Sequence, residues 1–230
     1  MKKIFEALAA VDTPTICNAL EVVMGCRTTT GFTYGTPIAA PKALPPIVGF
    51  ARTMRFSAAN PSPLSAEEGK KNRLAYFRYV QAQDGEPVVL VMEDIDEQPG
   101  IGSNWGEVNT TIHRALGVQG VLTNGSVRDL DMLDPDFAVI AASVGPSHAH
   151  AHIVDFNVPV KVLGMAVNPG DIIHADCHGG VVIDPSFLQD LPRCIELVTK
   201  REQPLLQAAR KPGFSVDDIA KALQDAQDIH

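Results

Sequence analysis

The sequence predicts one main domain of the α/β or α+β class, and three observations support this prediction. Continuous apolar runs, such as PVVLVMED at Pro87–Asp94, are typical of strands that are buried on both faces. Amphipathic stretches with helical spacing lie between these runs, without a strict alternation of strand and helix. The length of 230 residues suits one compact domain, with or without a terminal extension.

The N-terminal half contains two helical stretches and two strands. Residues 3–24 have helical periodicity, and a second helix is expected to start at Thr13-Pro14. The stretch 31–46 is punctuated by Gly and Pro and predicts an irregular loop. Val48–Ser57 alternates as a half-buried strand does, and residues 65–83 then predict a helix before the buried strand at Pro87–Asp94.

The C-terminal half begins with a predicted helix over Asn104–Gly117, then the short strand Val118–Leu122 and a turn in NGSVRD. Further short strands are expected at Phe137–Ser143, Val158–Leu163, Asp171–Ala175 and Gly180–Ile183. From Phe187 onward the chain is predicted to be mostly helical and broken at Pro204 and again at 211–213. Ser215 is expected to cap a final helix, Val216–Gln227.

Composition excludes several classes of function. The formal net charge of −8 argues against nucleic acid as the main partner. No apolar run reaches the length of a membrane span, and Glu6 and Asp12 interrupt the N-terminus, which predicts helices rather than a signal peptide. The expected location is therefore cytoplasmic. The cysteines have no CxxC spacing and are expected to be reduced: Cys17, Cys26, Cys177 and Cys194.

The segment from Gly102 to Asp131 is the most informative about chemistry. A glycine-bounded loop leads into a helix at Trp105-Gly106-Glu107, and the free N–H groups of such a helix start can bind a carboxylate. Arg128-Asp129 follow the next strand and turn directly. Arg can grip a carboxylate through two hydrogen bonds, and Asp with bound waters is typical of Mg²⁺ sites. From spacing alone, a surface ion pair is the commoner explanation.

Glu107, twenty intervening residues and Arg128-Asp129 resemble the acidic-x20-Arg-Asp motif of class II pyruvate aldolases of the 4-hydroxy-4-methyl-2-oxoglutarate type. These aldolases belong to the wider RraA-like family, named for the regulator of ribonuclease activity A. The resemblance covers most of residues 10–185. It is carried by DTPTICNALE (12–21), WGEVNTTIHRALGVQGVLTNGSVRD (105–129) and NVPVKVLGMAVNPGDIIHADCHGGVVIDP (157–185).

The resemblance implies a swivelling β/β/α domain over residues 1–185 and a helical extension over 186–230, which packs on that domain or on a neighbouring subunit. It also implies homotrimers or homohexamers with active sites between subunits. The implied reaction is retro-aldol cleavage of a 4-hydroxy-2-oxo acid, as in aromatic-compound degradation, which releases pyruvate. Decarboxylation of oxaloacetate often accompanies it, and the cofactor is Mg²⁺ or Mn²⁺.

The resemblance also implies roles for single residues. Asp129 would bind the metal, and Arg128 would hold the pyruvoyl part of the substrate and stabilise the enolate. Glu107, where several aldolases have Asp, would act on metal-bound water. The carboxylate of the 2-oxo acid would meet the backbone at Gly106, Val108 and Asn109.

The sequence is also compatible with two alternatives. One is a non-catalytic regulator that inhibits a ribonuclease, although that branch of the family generally lacks the Arg-Asp pair. The other is a metal-dependent lyase or hydrolase that acts on a different oxo acid. The second is kept open by His148, His150 and His152, which would share one face of a strand if the run were extended, and could there bind Zn²⁺ or a carboxylated substrate. An exposed or interfacial loop is the plainer explanation.

Two further groups of residues have a structural and a functional explanation. Alternation would place His174, Asp176 and His178 on one face, where a structural role is favoured. Glu202, or Glu196 in its place, could reach the metal waters of a neighbouring subunit, and a solvated helix face is the alternative for both.

Overall fold

The computed structural model describes residues 1–41 and 44–229. Residues 42–43 of the predicted loop and residue 230 of the predicted extension lie outside these ranges. The α-helices are α1 (Lys2–Ala9), α2 (Thr13–Met24), α3 (Ala66–Val80), α4 (Glu107–Ala115), α5 (Leu191–Ala209) and α6 (Val216–Gln227). The strands are β1 (Ile38–Ala40), β2 (Ile47–Ser57), β3 (Val88–Asp94), β4 (Ser103–Trp105), β5 (Val118–Thr123), β6 (Ser126–Val127), β7 (Ala138–Ala141), β8 (Ser143–Val144), β9 (His152–Phe156), β10 (Val160–Val162), β11 (Met165–Val167), β12 (Ile172–Asp176) and β13 (Gly179–Ile183).

The largest sheet has the strand order β1-β7-β5-β3-β2-β12-β13, and β9 also pairs with β2. Strands β2, β3, β5 and β7 run parallel, whereas β1, β9, β12 and β13 run antiparallel to their neighbours. The carboxyl ends of the parallel strands therefore meet at one edge. A small parallel sheet of β4, β6 and β8 and a β10–β11 hairpin complete the strands. The predicted α/β class is confirmed.

The sheet is covered on both faces, which explains its continuous apolar runs. In β3, Val88, Leu90 and Met92 pack into one cluster with Tyr76 and Trp105. The alternate residues of β3 pack into a second cluster with the β10–β11 hairpin. A third cluster joins α1, α2 and α5 to β12 and β13. Alternation along β3 thus leaves no solvent-facing side for polar residues.

A buried histidine fixes the bend between α1 and α2. His174 Nε2 lies 3.1 Å from the carbonyl oxygen of Leu8 and 3.2 Å from that of Val11, and its Nδ1 lies 3.0 Å from Thr13 Oγ1. The structural role favoured for this residue agrees with these contacts. Among the described residues, no single helix is long and apolar enough to cross a bilayer. Helices α1 and α2 together reach the required length and apolar composition, but they form a pair bent by 119°.

Several predicted elements agree with the structure, and the misses are short or depend on tertiary packing. Ser215 caps α6 at the predicted position, where it accepts a hydrogen bond from Asp218 N. Short strands occur within the predicted loop (β1), the predicted turn (β6) and the predicted start of the helix over Asn104–Gly117 (β4). Strands β9 and β11 were not expected. Strands β1, β4, β6 and β11 have only two or three residues, which is too few to show a period of two by themselves.

The predicted break at Pro204 is wrong, because α5 continues through it from Leu191 to Ala209. Pro lacks the N–H that would complete its turn. Helix α5 packs against both α2 and α6, and this packing offsets the missing hydrogen bond. The predicted boundary between residues 185 and 186 stays a prediction, although Leu188, Leu191 and Ile195 share a core cluster with α1 and α2.

We expect the free energy of unfolding to fall in acid because of His113. This residue of α4 is buried, its Nδ1 donates to the carbonyl of Asn109 (2.6 Å), and its Nε2 accepts from the Tyr76 hydroxyl (2.8 Å). Burial lowers the pKa of His113 from its ordinary 6.5 to about 4, against the opposing effect of the Asn109 bond. The pKa of His113 is lower in the folded state than in the unfolded state. The contribution of the neutral imidazole to the free energy of unfolding is therefore fully present above pH 6.5 and is lost toward pH 4.

The expected loss from this one group is roughly 3 kcal/mol over that range. His113→Gln keeps a hydrogen-bonding side chain but cannot titrate, so its urea-derived stability should vary less with pH. His148→Gln, at an exposed position, is the control and should retain the wild-type dependence. Parallel pH profiles for wild type and His113→Gln would contradict a neutral buried imidazole.

Candidate metal and oxo-acid site

The small parallel sheet brings together two segments that are far apart in sequence. Strand β4 pairs with β6, and Arg128 N donates to the carbonyl of Trp105 at 2.8 Å. The start of α4 at Gly106-Glu107 therefore lies directly against Arg128-Asp129. Four of the residues singled out from the sequence thus meet at the carboxyl edge of the parallel strands.

Gly106 is required for space rather than for an unusual backbone conformation. Its φ of −163° is extended, and any residue can adopt it. A Cβ at this position would lie 2.5 Å from Asp129 Oδ2, 3.1 Å from Arg128 Cγ and 3.2 Å from Arg128 Nε. The absence of a side chain lets the Arg128-Asp129 pair lie on the first turn of α4.

Asp129 is held in a constrained backbone position with part of its carboxylate exposed. Its φ of +55° is in the left-handed region, which Asp and Asn tolerate better than most residues. Oδ2 lies 3.4 Å from Glu107 N and 3.5 Å from Arg128 Nε. Among the described residues, no hydrogen bond is found to Oδ1. That oxygen is therefore available to a cation.

The first turn of α4 offers N–H groups to an anion. Its N-cap, Gly106, has no side chain, and no acceptor is found within residues 1–41 and 44–229 for the N–H groups of Val108 and Asn109. The Asn109 side chain donates instead to the carbonyl of Asn104 at 2.6 Å, so it does not cap the helix. The Glu107 side chain is exposed, and its contact with Asp129 runs through its backbone N–H. A helix start with free N–H groups binds carboxylates and phosphates.

Asp94 and Asn124, which the sequence analysis does not single out, support this edge of the sheet. Asn124 Oδ1 accepts from Asp94 N at 2.7 Å, and Asn124 Nδ2 donates to the carbonyl of Asp94 at 2.8 Å. The Asp94 carboxylate accepts from the N–H groups of Gly100 (2.7 Å) and Asp96 (3.1 Å). Burial raises the pKa of Asp94, and these hydrogen bonds oppose the rise. An acidic residue that ends a buried strand was the signal available in the sequence.

The histidine run is not an extended strand, so its three imidazoles do not share one face. Ala149 has a left-handed φ of +45°, and β9 begins only at His152. His148 Nδ1 bonds the Ala149 carbonyl and His152 Nδ1 bonds the His150 carbonyl, both at 2.8 Å. The described residues that group as metal ligands are Asp176, Cys177 and His178, not this run. A zinc site on three aligned histidines is therefore not supported.

The two C-terminal acids lie on exposed surfaces of α5. Glu202 lines an open cleft of about 450 Å³ with Glu21, Arg27 and Arg201, near the end of α2. Glu196 lies 3.5 Å from Lys200 in an exposed ion pair. These contacts agree with a solvated helix face. A reach to a neighbouring subunit stays a prediction for both acids.

The fold and the site define an α/β protein in which an uncapped helix start faces an Arg-Asp pair at one sheet edge. The sequence profile of the RraA-like family, described as Aldolase/RraA, matches residues 13–183. The chain belongs to this family, which confirms the predicted swivelling β/β/α fold. The family includes both aldolases and inhibitors of ribonucleases.

Individual relatives are distant. An uncharacterised protein of Methanocaldococcus jannaschii is 30% identical over 118 residues, which span 50% of this chain and 57% of the relative. A solved structure described as novel cellulases from gut-associated microbes has a TM-score of 0.72 at 16% identity, covering 88% of this chain and 86% of that one. RraAS2 of Streptomyces coelicolor, described as an unusual member of the RNase ES inhibitor RraA family, has a TM-score of 0.65 at 22% identity, covering 91% and 96%. At these identities the structural likeness shows the fold alone.

We expect Gly106→Ala to disturb the site without unfolding the protein. The atoms that its Cβ would meet belong to the Asp129 and Arg128 side chains, which can swing away. The free energy of unfolding should fall by about 1 kcal/mol, which is the cost of Ala in place of Gly at an N-cap. A crystal structure of the variant should show Asp129 Oδ2 displaced from Glu107 N. Gly69→Ala, in α3 with nothing within 4 Å of its Cβ, is the control. An unmoved Asp129 would contradict the steric argument.

Proposed function

We propose that this chain is a divalent-metal-dependent pyruvate aldolase. Its substrate would be a 4-hydroxy-2-oxo acid of the 4-hydroxy-4-methyl-2-oxoglutarate or 4-carboxy-4-hydroxy-2-oxoadipate type, and it would also decarboxylate oxaloacetate. The observation that carries this proposal is the packing of Arg128-Asp129 on the uncapped start of α4, with Gly106 leaving the space between them. Membership of a family that includes aldolases supports it.

The residues at the site fit Mg²⁺ or Mn²⁺. Asp129 Oδ1 would be the protein ligand, and Mg²⁺ usually keeps several waters beside one or two carboxylates. Glu107, in the first turn of α4, is the second acid of the site and would hold or accept a proton at such a water. When bound, the ion supplies positive charge beside the oxygen on which the enolate develops.

The remaining groups bind the substrate and stabilise charge. The N–H groups of Val108 and Asn109 would bind the carboxylate of the 2-oxo acid, where the helix dipole favours negative charge. The guanidinium of Arg128 would bind the 2-oxo oxygen. Cleavage or loss of CO₂ turns that oxygen into an enolate, so a fixed cation stabilises it more in the transition state than in the ground state.

A second copy of the chain would close the site. Large apolar side chains are exposed on the segments that form it, and a partner subunit that packed there would bury them. They are Ile101, Val108, Ile112, Leu130, Met132 and Val144. We propose that subunits of a homotrimer or homohexamer cover them and exclude water from the site. A cytoplasmic location stays a prediction.

The alternatives are a regulator that binds a ribonuclease and a lyase or hydrolase for another oxo acid. The description of RraAS2 links that relative to a ribonuclease, so the prediction that nucleic acid is not a partner of this chain gains no support from family membership and stays a prediction. The Arg128-Asp129 pair favours catalysis, because inhibition by protein contact does not require a cation-binding carboxylate beside an anion site. Inhibition of a ribonuclease without metal-dependent turnover would favour the regulator.

The purified chain should release pyruvate from 4-hydroxy-4-methyl-2-oxoglutarate or oxaloacetate with Mg²⁺ or Mn²⁺, and EDTA should abolish this. Asp129→Asn should lose the activity but remain folded, because Asn tolerates the left-handed backbone and cannot replace the charged oxygen. Asp131→Asn, an exposed acid two residues away, is the control and should stay active. If no metal-dependent pyruvate appears with either substrate, the proposal fails.

Arg128→Ala should lower kcat by about 10²–10³ and also weaken substrate binding, since the cation acts on charge that develops during the reaction. Steady-state kinetics on either substrate would measure both effects. Arg114→Ala, at an exposed position in the last turn of α4, should leave both constants near wild type. A rise in KM with kcat unchanged would show that Arg128 only binds the substrate.

A further inference from the structure

Three potential metal ligands meet at the turn between β12 and β13. Asp176 ends β12, Cys177 and His178 form the two-residue turn, and Gly179 starts β13 with a φ of +120°. His178 Nδ1 lies 3.1 Å from Asp176 Oδ1 and 3.5 Å from Cys177 Sγ. The three ligand atoms all lie within 4.8 Å of one another.

These distances agree with the edges of a tetrahedral zinc site. Zinc bonds of about 2.3 Å to sulfur and about 2.0–2.2 Å to nitrogen and oxygen imply an N···S edge of about 3.6 Å and an N···O edge of about 3.3 Å. The observed separations of 3.5 Å and 3.1 Å differ from these by a few tenths of an ångström. Two of the three edges therefore already have the separation that a bound ion would require, and the third, between the Asp176 carboxylate and Cys177 Sγ, is no longer than 4.8 Å.

We propose that Asp176, Cys177 and His178 bind a thiophilic divalent cation of the Zn²⁺ class. A thiolate and an imidazole favour Zn²⁺ over Mg²⁺ or Mn²⁺, which prefer oxygen ligands. Three protein ligands leave the fourth position of a tetrahedral ion open. Binding releases the thiol proton, and His178, whose side chain is 52% exposed, can keep its own proton on Nε2.

Asp176, Cys177 and His178 all line a cleft of about 260 Å³, which would give a ligand access to the ion. The turn lines one side of this cleft, and Asp12, Ala40 and Pro46 are among the residues on the others. Ala175 pairs with Ile47 at the start of β2, so the cleft lies at the amino edge of the parallel strands. This is the edge opposite the Arg128-Asp129 pair, and the two sites are therefore separate.

The acidic ligand is already oriented by the backbone. Asp176 is only 8% exposed, its Oδ2 accepts from Thr13 N at 2.8 Å, and its Oδ1 accepts from His178 N at 2.8 Å. Metal-binding carboxylates are typically held by outer hydrogen bonds of this kind. The carboxylate would thus bind an ion without a new conformational cost.

The same geometry disfavours a nucleophilic Cys-His-Asp relay. In such a relay the two ring nitrogens face different partners, one the nucleophile and the other the carboxylate. Here the single atom His178 Nδ1 faces both Asp176 and Cys177. The carboxylate, the thiol and this ring nitrogen therefore point toward one common position, which is the arrangement that a bound metal ion requires.

Titration of the purified chain with Co²⁺, a spectroscopic substitute for Zn²⁺, tests the proposal. We expect a thiolate-to-cobalt charge-transfer band and the intense visible bands of tetrahedral Co²⁺, both removed by Zn²⁺ and not by Mg²⁺. Cys177→Ser should lose the charge-transfer band, whereas Cys26→Ser, at another exposed cysteine, should keep it. No such band, or a band that survives in Cys177→Ser, overturns the proposal.

Thermal unfolding gives a second measurement that is independent of the aldolase proposal. Zn²⁺ should raise the Tm of wild type and of Asp129→Asn, and should not raise that of Cys177→Ser or His178→Ala. Asp176 is left unchanged because it also supports the start of α2 through Thr13 N. An equal rise in Cys177→Ser would place the stabilising ion elsewhere and overturn the assignment.

Discussion

The candidate site depends on a side chain that extends the pairing of two parallel strands. The last residue of β5 is Thr123, and the next residue, Asn124, bonds both the N–H and the carbonyl of Asp94 at the end of β3. The side-chain amide of Asn124 thus takes the place of the two backbone groups that would otherwise pair with Asp94. It fixes the direction in which the chain leaves the sheet after β5. That direction sends β6 between β4 and β8 and places Arg128-Asp129 against α4.

Buried aromatic rings and a pair of serine hydroxyls support the small sheet of β4, β6 and β8 from below. Trp105 stacks on Phe137 with ring centroids 5.6 Å apart, and the His113 ring meets Trp105 edge-on at 4.9 Å. Ser103 and Ser126 join β4 to β6 through their hydroxyls at 2.7 Å. A buried aromatic layer thus supports the small sheet directly beneath the exposed groups of the candidate site. Preorganisation of this kind is what electrostatic catalysis requires.

The two proposed sites use opposite edges of one sheet and opposite kinds of ligand. The carboxyl edge offers carboxylate oxygen, a guanidinium and helix N–H groups, which suit a hard cation and an oxo acid. The amino edge offers a thiol, an imidazole and a buried carboxylate at a hairpin turn, which suit a softer cation. The two ions would therefore not compete for one set of ligands.

The sequence by itself determined the α/β class, the long strands β2 and β3, and the cap of α6, because periodicity and capping are encoded in neighbouring residues. Its acidic-x20-Arg-Asp motif also pointed to Glu107, Arg128 and Asp129, and the glycine-bounded helix start pointed to Gly106. Only the tertiary structure decided why Gly106 must be small, how Asn124 joins two strands, and that Cys177 and His178 turn toward Asp176. These features depend on distances between atoms, which are fixed only when strands far apart in the chain pair and bury both faces of the sheet.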